Sequence, residues 1–309
     1  MSNAMATDHP RVLFFGMTGN FSAPPLFALL EHGIEVSAVI IPALRSGPGQ
    51  PPIQHREQKN KARSMLPMLH SLVPASILEI AFERRIPVWE VSRLAHPEAV
   101  ALLKDYQPDA ICVACFSQRI SEPILRIPRF GCLNVHPSLL PANRGPEPLF
   151  WTFREGDRQT GVTIHLIDEG MDTGPVLAQE VLEVPDGISY AQLEMQCARL
   201  GGALLARSIW ELYRGTARSV AQDEAKSSSH PYPTAGDFFV PVVEWDARHV
   251  YNFIRGLEAW GEPITLQIAD RSMQVKTAIS YSDETKLYSQ EGEELWVPCR
   301  VGAVRIRRS

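Results

Sequence analysis

The 309-residue chain has no apolar run near the ~20 residues that a membrane helix needs, and no charged leader with an apolar core opens it. A soluble cytoplasmic protein is the expectation. Met1 to Ala4 precede a second methionine, Met5, and read as a cloning remnant outside the fold. Cysteine is scarce: five, at 112, 115, 132, 197 and 299, of which four lie in apolar runs. Cys112 and Cys115 form a C-x-x-C, but the surrounding DAICVACF reads as a buried strand, and no second pair or histidine cluster stands at zinc spacing. Inert core thiols and no metal site are expected. Positive charge is also short, with 30 Lys and Arg against 35 Asp and Glu, net −5 and a pI near 6.0. That balance argues against a surface dominated by nucleic-acid contacts. Two basic stretches depart from it: Arg56, Lys59, Lys61 and Arg63, and the tail residues Arg300, Arg305, Arg307 and Arg308. Each reads as a phosphate contact or as a solvated basic surface. A dinucleotide fingerprint is missing, because GMTGN (16–20) offers only G-x-x-G. So is a serine or cysteine nucleophile elbow, which makes a covalent acyl-enzyme unexpected and assigns the attacking group to the substrate.

What is present begins with a βαβ pattern. RVLFFG (11–16) is a short apolar run ending in glycine. SAPPLFALLEHG (22–33) has serine before it, prolines in its first turn and glycine after it, as a helix does, and IEVSAVIIP (34–42) is the next strand. Right-handed crossovers and a Rossmann-like parallel sheet follow. Residues 43–60 read as a surface excursion, 64–84 as a helical stretch, and IPVWEV, DAICVACF, GCLNVH and GVTIHLID as further strands. ISYAQLEMQCARLGGALLARSIWELYRG (188–215) is the clearest helix, with Ser189 and Gln192 placed for a capping box and Gly215 at its end. From about 237 the pattern changes to alternating strands (ITLQIA, MQVKTAIS, ELWVP, AVRIRR) with one helix over 246–257. The expected organisation is a catalytic domain over 5–215, a linker over 216–236, and a small C-terminal β-barrel-like, OB-like domain over 237–309.

The stretch GCLNVHPSLLPANRG (131–145) carries the chemistry. On a strand, residues two apart share a face, so Asn134 and His136 project together, and Pro137 ends the strand. IDEGMDTGP (167–175) supplies a tight acidic turn that brings Asp172 to the same edge. An asparagine amide and an imidazolium can donate to the oxyanion of acyl transfer to an amine, and a carboxylate beside the histidine orients it and favours its charged form. Taken singly, each residue also has a bland reading. His136 can be a satisfied structural histidine, Asn134 a turn cap, and Asp172 a carboxylate bound to its own backbone.

GCLNVHPSLLPANRG and GVTIHLIDEGMDTGPVL together resemble the signature of the 10-formyltetrahydrofolate-dependent formyltransferases, of the methionyl-tRNA and amino-sugar kinds. The similarity extends to RVLFFGMTGNFSAPPLFALLEHGIEVSAVI and VEWDARHVYNFIRGLEAWGEP, and so covers most of the chain. The resemblance implies catalytic Asn134, His136 and Asp172, and a cis bond at Leu140–Pro141. It implies a formyl-folate site along Val113, Cys115, Phe116 and Ser117 and along Ile167, Asp168, Glu169 and Gly170. It further implies a folate donor, no metal, and an amine acceptor that is methionyl-tRNA or an amino-sugar nucleotide. Three stretches depart from the family pattern: CFSQR (115–119), RGPEPLFW (144–151), and RSGPGQ (45–50), which is less basic than an acceptor-stem grip suggests. Residues 237–309 hold nine Lys and Arg against eleven Asp and Glu, a net of −2, where a tRNA-gripping barrel would benefit from positive charge. Deformylation of the donor by water and a non-catalytic binding role stand beside formyl transfer as alternatives.

Overall fold

The computed structural model describes residues 9–43, 49–58, 76–268, 271–284, 288–291 and 293–308. In chain order the elements are β1 (Arg11–Gly16), α1 (Ala23–Glu31), β2 (Glu35–Pro42), β3 (Ile53–His55), α2 (Ile77–Glu83), β4 (Val88–Val91), α3 (Pro97–Asp105), β5 (Ala110–Ala114), α4 (Glu122–Leu125) and β6 (Cys132–His136). There follow α5 (Pro148–Glu155), β7 (Gln159–Leu166), β8 (Val176–Glu183), α6 (Tyr190–Tyr213), β9 (Phe239–Pro241), α7 (Ala247–Leu257), β10 (Ile264–Ile268), β11 (Arg271–Ser282), β12 (Ser289–Glu291), β13 (Glu294–Pro298) and β14 (Ala303–Arg308). They group into two compact units: one runs to Pro141 and adds Val162–Glu180 and Met195–Lys226, the other takes Ala142–Gly161, Val181–Glu194 and the chain from Ser227. The helical stretch expected over 64–84 lies outside the described residues up to 75; its described end is α2, opened by a Ser76–Glu79 capping box. Most of RSGPGQ also lies outside them.

The first unit is built on an eight-stranded sheet in the order β3-β4-β2-β1-β5-β6-β7-β8. Chain order reverses between β1 and β5, so a crevice is expected outside their carboxyl ends. Ser22 closes that point. Its hydroxyl accepts from the Met17 N–H at 2.9 Å and donates to the Ala114 carbonyl at 2.6 Å, tying the end of β1 to the end of β5. The apolar runs of β1, β2 and β5 are buried on both faces, as parallel strands between helices must be. The expectation of a parallel sheet holds for β4, β2, β1, β5 and β6 and needs correction at two places. β7 runs antiparallel to β6, and β3, a strand within the supposed surface excursion, runs antiparallel to β4. Strand alternation sorts the faces of the sheet. Leu13, Phe15, Ile111, Val113 and Cys132 join a core with Ala99, Leu103 and Ile124 of α3 and α4. On the opposite face α6 lies close to the sheet, because a Cβ on Gly201 would stand 2.4 Å from Val135 Cγ1. A Cβ on Gly202 would meet the Pro24 carbonyl at 3.0 Å, so this glycine pair is what lets α6 press on both α1 and β6. The Ser189–Gln192 capping box at the start of α6 forms as expected.

The second unit carries a six-stranded sheet in the order β12-β13-β14-β11-β10-β9, antiparallel except for the β9–β10 pair. Helix α7, capped by Asp246, buries Val250, Phe253, Ile254 and Leu257. Phe150 of α5 packs within 5.2 Å of Phe238 and 5.3 Å of Trp260, ring centre to ring centre. His249 stacks on Trp245 at 3.7 Å and donates toward the last carbonyls of α5, Phe153 at 3.2 Å and Arg154 at 3.0 Å. Burial pulls its pKa below the ordinary histidine range, partly opposed by those carbonyls. Glu147, one of the departures in RGPEPLFW, precedes α5 and accepts from the Tyr190 hydroxyl at 2.9 Å; burial raises its pKa. The stretch SSSHPYP is pinned along its length. Ser229 bridges Arg144 in parallel, and His230 stacks on Trp151 at 4.3 Å. No described helix is long and apolar enough to cross a membrane.

Candidate active site

Strand β6 divides its side chains by parity. Leu133 and Val135 face α6, and Asn134 and His136 face the other way, with Cys132. β7 contributes through its antiparallel register, in which Asn134 stands opposite His165 and His136 opposite Thr163. Directly opposed residues share a face, so Asn134, His136, Thr163 and His165 form one polar patch on the sheet. His136 is 3% exposed and His165 1%. Burial this deep demands partners, and the patch supplies them. His165 donates from Nδ1 to the Leu166 carbonyl at 3.0 Å. In the neutral ring that leaves Nε2 an acceptor, which the Asn134 Nδ2 reaches at 3.2 Å.

Asp172 arrives from the loop between β7 and β8, which folds back over this patch. Its Oδ2 lies 3.7 Å from His136 Nδ1 and its Oδ1 3.6 Å from His165 Nε2, with 11% of the side chain exposed. The carboxylate thus sits between two imidazoles that are themselves 6.2 Å apart, nearly edge to face. Both gaps exceed a direct hydrogen bond, and each becomes an ion pair only when the histidine concerned is protonated. Asp172 occupies the left-handed backbone region at φ 55. The neighbouring carboxylate of Asp168 binds its own turn. The Asp168 Oδ1 accepts from the Gly170 N–H at 3.0 Å and from the Thr173 hydroxyl at 2.6 Å. Gly174 permits the return of the chain, since a Cβ there would stand 1.8 Å from the Leu166 carbonyl oxygen.

The structure brings the three expected catalytic residues together and adds His165, which the sequence reading passed over inside GVTIHLID. The signal was available, because a histidine at the Thr-x-His positions of a strand shares its face with Thr163. It lacked meaning until the antiparallel register set it against Asn134. Leu140–Pro141 is cis. The Leu140 carbonyl accepts from Gln179 Nε2 at 2.9 Å, and its N–H donates to Thr163 Oγ1 at 3.2 Å, which fixes the turn after His136.

The two segments implied for folate flank β6. Val113 is buried at the end of β5, opposite Asn134. Cys115 follows it, exposed and at φ 59, with its thiol 3.8 Å from the Met17 sulfur across the switch point. Phe116 is half-buried against Phe15 at 5.1 Å, and Ser117 is exposed. Ile167 packs with Phe116 on the α3–α4 core, and its N–H donates to the Cys132 carbonyl at 2.7 Å. Asp168, Glu169 and Gly170 are exposed. Arg119 joins the two segments by donating to the Glu169 carbonyl at 2.9 Å. The remaining thiols nearby are buried. Burial pushes Cys132 up to about 12 and Cys112 further. Among the described residues no group of histidine, cysteine and carboxylate side chains could hold a metal ion.

Residues 11–209 match the family model described as "Formyl transferase". A methionyl-tRNA formyltransferase of Synechocystis is 35% identical over 264 residues, 82% of this chain and 73% of that protein. One from Pelobacter propionicus is 30% identical over 300 residues, 96% of this chain and 87% of its own. Among solved structures, an N-formyltransferase of Helicobacter canadensis, held with folinic acid and dTDP-3-aminofucose, superposes with a TM-score of 0.66 at 16% identity, covering 96% of this chain and 98% of that one. The methionyl-tRNA formyltransferase of Clostridium thermocellum gives 0.52 at 14% identity, over 97% and 100%. These two show the shared fold. With most of its length matched by the family and its curated relatives, the chain belongs to the formyl transferase family and is a folate-dependent formyltransferase.

Proposed function

We propose that the chain moves the formyl group of 10-formyltetrahydrofolate to the amino group of methionyl-tRNA, with Asn134, His136 and Asp172 doing the chemistry. One observation carries the catalytic part: the Asp172 carboxylate stands between His136 and His165 on the buried polar patch of β6 and β7, beside the Asn134 amide. The donor supplies an electrophilic formyl carbon and a nitrogen to be displaced. Asn134 Nδ2, turned by His165, is placed to donate to an oxyanion growing on that carbon. His136 is the group that can move a proton between the incoming amine and the displaced nitrogen, and Asp172 holds its ring in register. The patch holds no serine, and its one hydroxyl, Thr163 Oγ1, donates to the Ser138 carbonyl at 2.7 Å, which agrees with direct attack by the amine. Phe116, Ile167 and the 168–170 backbone would hold the folate. The acceptor is supported by the curated relatives, whose names give methionyl-tRNA as theirs.

A second reading, a nucleotide-linked amino sugar as acceptor, has one observation in its favour. Residues 237–309 carry nine Lys and Arg against eleven Asp and Glu. Of the tail arginines, Arg305 and Arg307 are engaged by Glu294 at 2.6 and 3.2 Å. An acceptor screen with formyl-folate, read by tetrahydrofolate production, separates the readings. Turnover with methionyl-tRNA that falls steeply with salt is the expected result. Turnover confined to an amino-sugar nucleotide would replace the acceptor. Formate release at full rate with no amine present would make the chain a hydrolase.

A further inference from the structure

Asp172 stands at φ 55, in the left-handed backbone region that few non-glycine residues occupy and that aspartate tolerates better than most. Within the loop, Asp168 ties Gly170 and Thr173, and the Pro175 carbonyl accepts from the Leu166 N–H at 3.0 Å. A further grip on Asp172 comes from 50 residues along the chain. The Gln222 side chain donates from Nε2 to the Asp172 carbonyl at 2.7 Å and to the Gly174 carbonyl at 2.7 Å. One amide nitrogen carries two hydrogens, so both bonds form together. Gln222 is itself placed by a two-bond antiparallel bridge: Val176 N–H to Val220 O and Val220 N–H to Val176 O, each 2.8 Å. In that register residue 222 falls beside residue 174.

We propose that Gln222 is a positioning residue for formyl transfer: its carboxamide clamps the carbonyls on either side of Thr173, and so fixes the backbone from which the Asp172 carboxylate reaches His136 and His165. The chemistry of the site explains why an amide fills this place. Two converging carbonyls need two donors from one atom. A carboxylate of the same shape has none and would repel both oxygens, and an ammonium would bring an unwanted charge beside Asp172. The side chain is half-buried, and both of these bonds go to backbone carbonyls, not to the side chains of the patch. The inference rests on Asp172 being catalytic, and its test keeps the two claims apart.

The full-length protein is assayed for tetrahydrofolate production in four forms: wild type, Gln222→Leu, Asp172→Asn and the double variant. Gln222→Glu serves as an isosteric second probe should the leucine form fold poorly. The expected result is a fall of tenfold or more in kcat for either Gln222 variant, with the KM for the amine within about twofold and the melting temperature close to wild type. In the Asp172→Asn background the same change is expected to cost nothing further, because the group it positions is gone. A wild-type kcat in Gln222→Leu and Gln222→Glu, with Asp172→Asn crippled, would overturn the clamp alone. Equal losses from the Gln222 change in both backgrounds would make it a general structural residue and also overturn the clamp. A wild-type rate for Asp172→Asn would remove the catalytic reading beneath it.

Discussion

The polar patch on β6 and β7 and the charged face of β13 and β14 hold similar inventories under opposite conditions. In the patch, Asp172 lies between two histidines that are almost wholly buried. On β13 and β14, Glu294 lies between Arg305 and Arg307, whose side chains are 33% and 43% exposed. Each is a carboxylate shared by two cations or potential cations, yet only the first is shielded from water. A shielded group interacts strongly with whatever enters beside it, and an exposed one is screened. Polar groups that are costly to bury and are kept nonetheless set the first cluster apart from the second.

The comparison can be broken at several points. A large effect is expected at Asn134, since Asn134→Ala removes the donor proposed for the oxyanion. A drop in kcat of about 10² to 10³ with an unchanged melting temperature is expected from steady-state kinetics and calorimetry. A large loss of stability with normal kcat in the folded fraction would turn the patch into scaffold. Next comes the packing behind it. Gly201→Val forces bulk into the space where even a Cβ meets Val135 at 2.4 Å, and denaturant unfolding is expected to show a loss of about 1–3 kcal/mol.

A pH effect is expected in the second unit. Burial holds the folded-state pKa of His249 below its ordinary value, so the unfolded chain takes up the proton first. Stability from the neutral ring is therefore present above the ordinary histidine pKa of about 6.5 and declines as pH falls below it. The melting-temperature advantage of wild type over His249→Gln should accordingly narrow between pH 8 and pH 5; a widening gap would reverse the sign. The smallest effect is reserved for Glu294→Gln. An exposed pair of this kind is worth at most about 1 kcal/mol, and the loss should vanish at high salt. A loss of several kcal/mol that survives salt would erase the contrast between the two regions.

Much of this was legible in the residues. The βαβ opening, the 190–213 helix with its capping box, helix α7 and four strands of the C-terminal sheet follow from apolar period, caps and turn residues. Asn134 and His136 were legible because a period of two puts them on one face. The direction of β7 was not. An apolar run buried on both faces reads the same either way, and the helix at 148–155 mimics the crossover of a parallel pair. His165 stayed hidden with it, because its role exists only in the antiparallel register. β3 was missed because three residues among Gly, Pro and Gln carry too little pattern to outweigh a loop reading. Gln222 was invisible for a different reason. Its meaning depends on two carbonyls 48 and 50 residues away, and backbone groups leave no trace in the letters of a sequence.

The most direct measurement is kcat for tetrahydrofolate formation by His136→Ala, with formyl-folate and methionyl-tRNA both saturating and the melting temperature recorded alongside. A fall of about 10² to 10⁴ in a protein that melts where wild type does is the expected outcome. An undiminished rate would show that the imidazole beside Asp172 does not take part in the transfer.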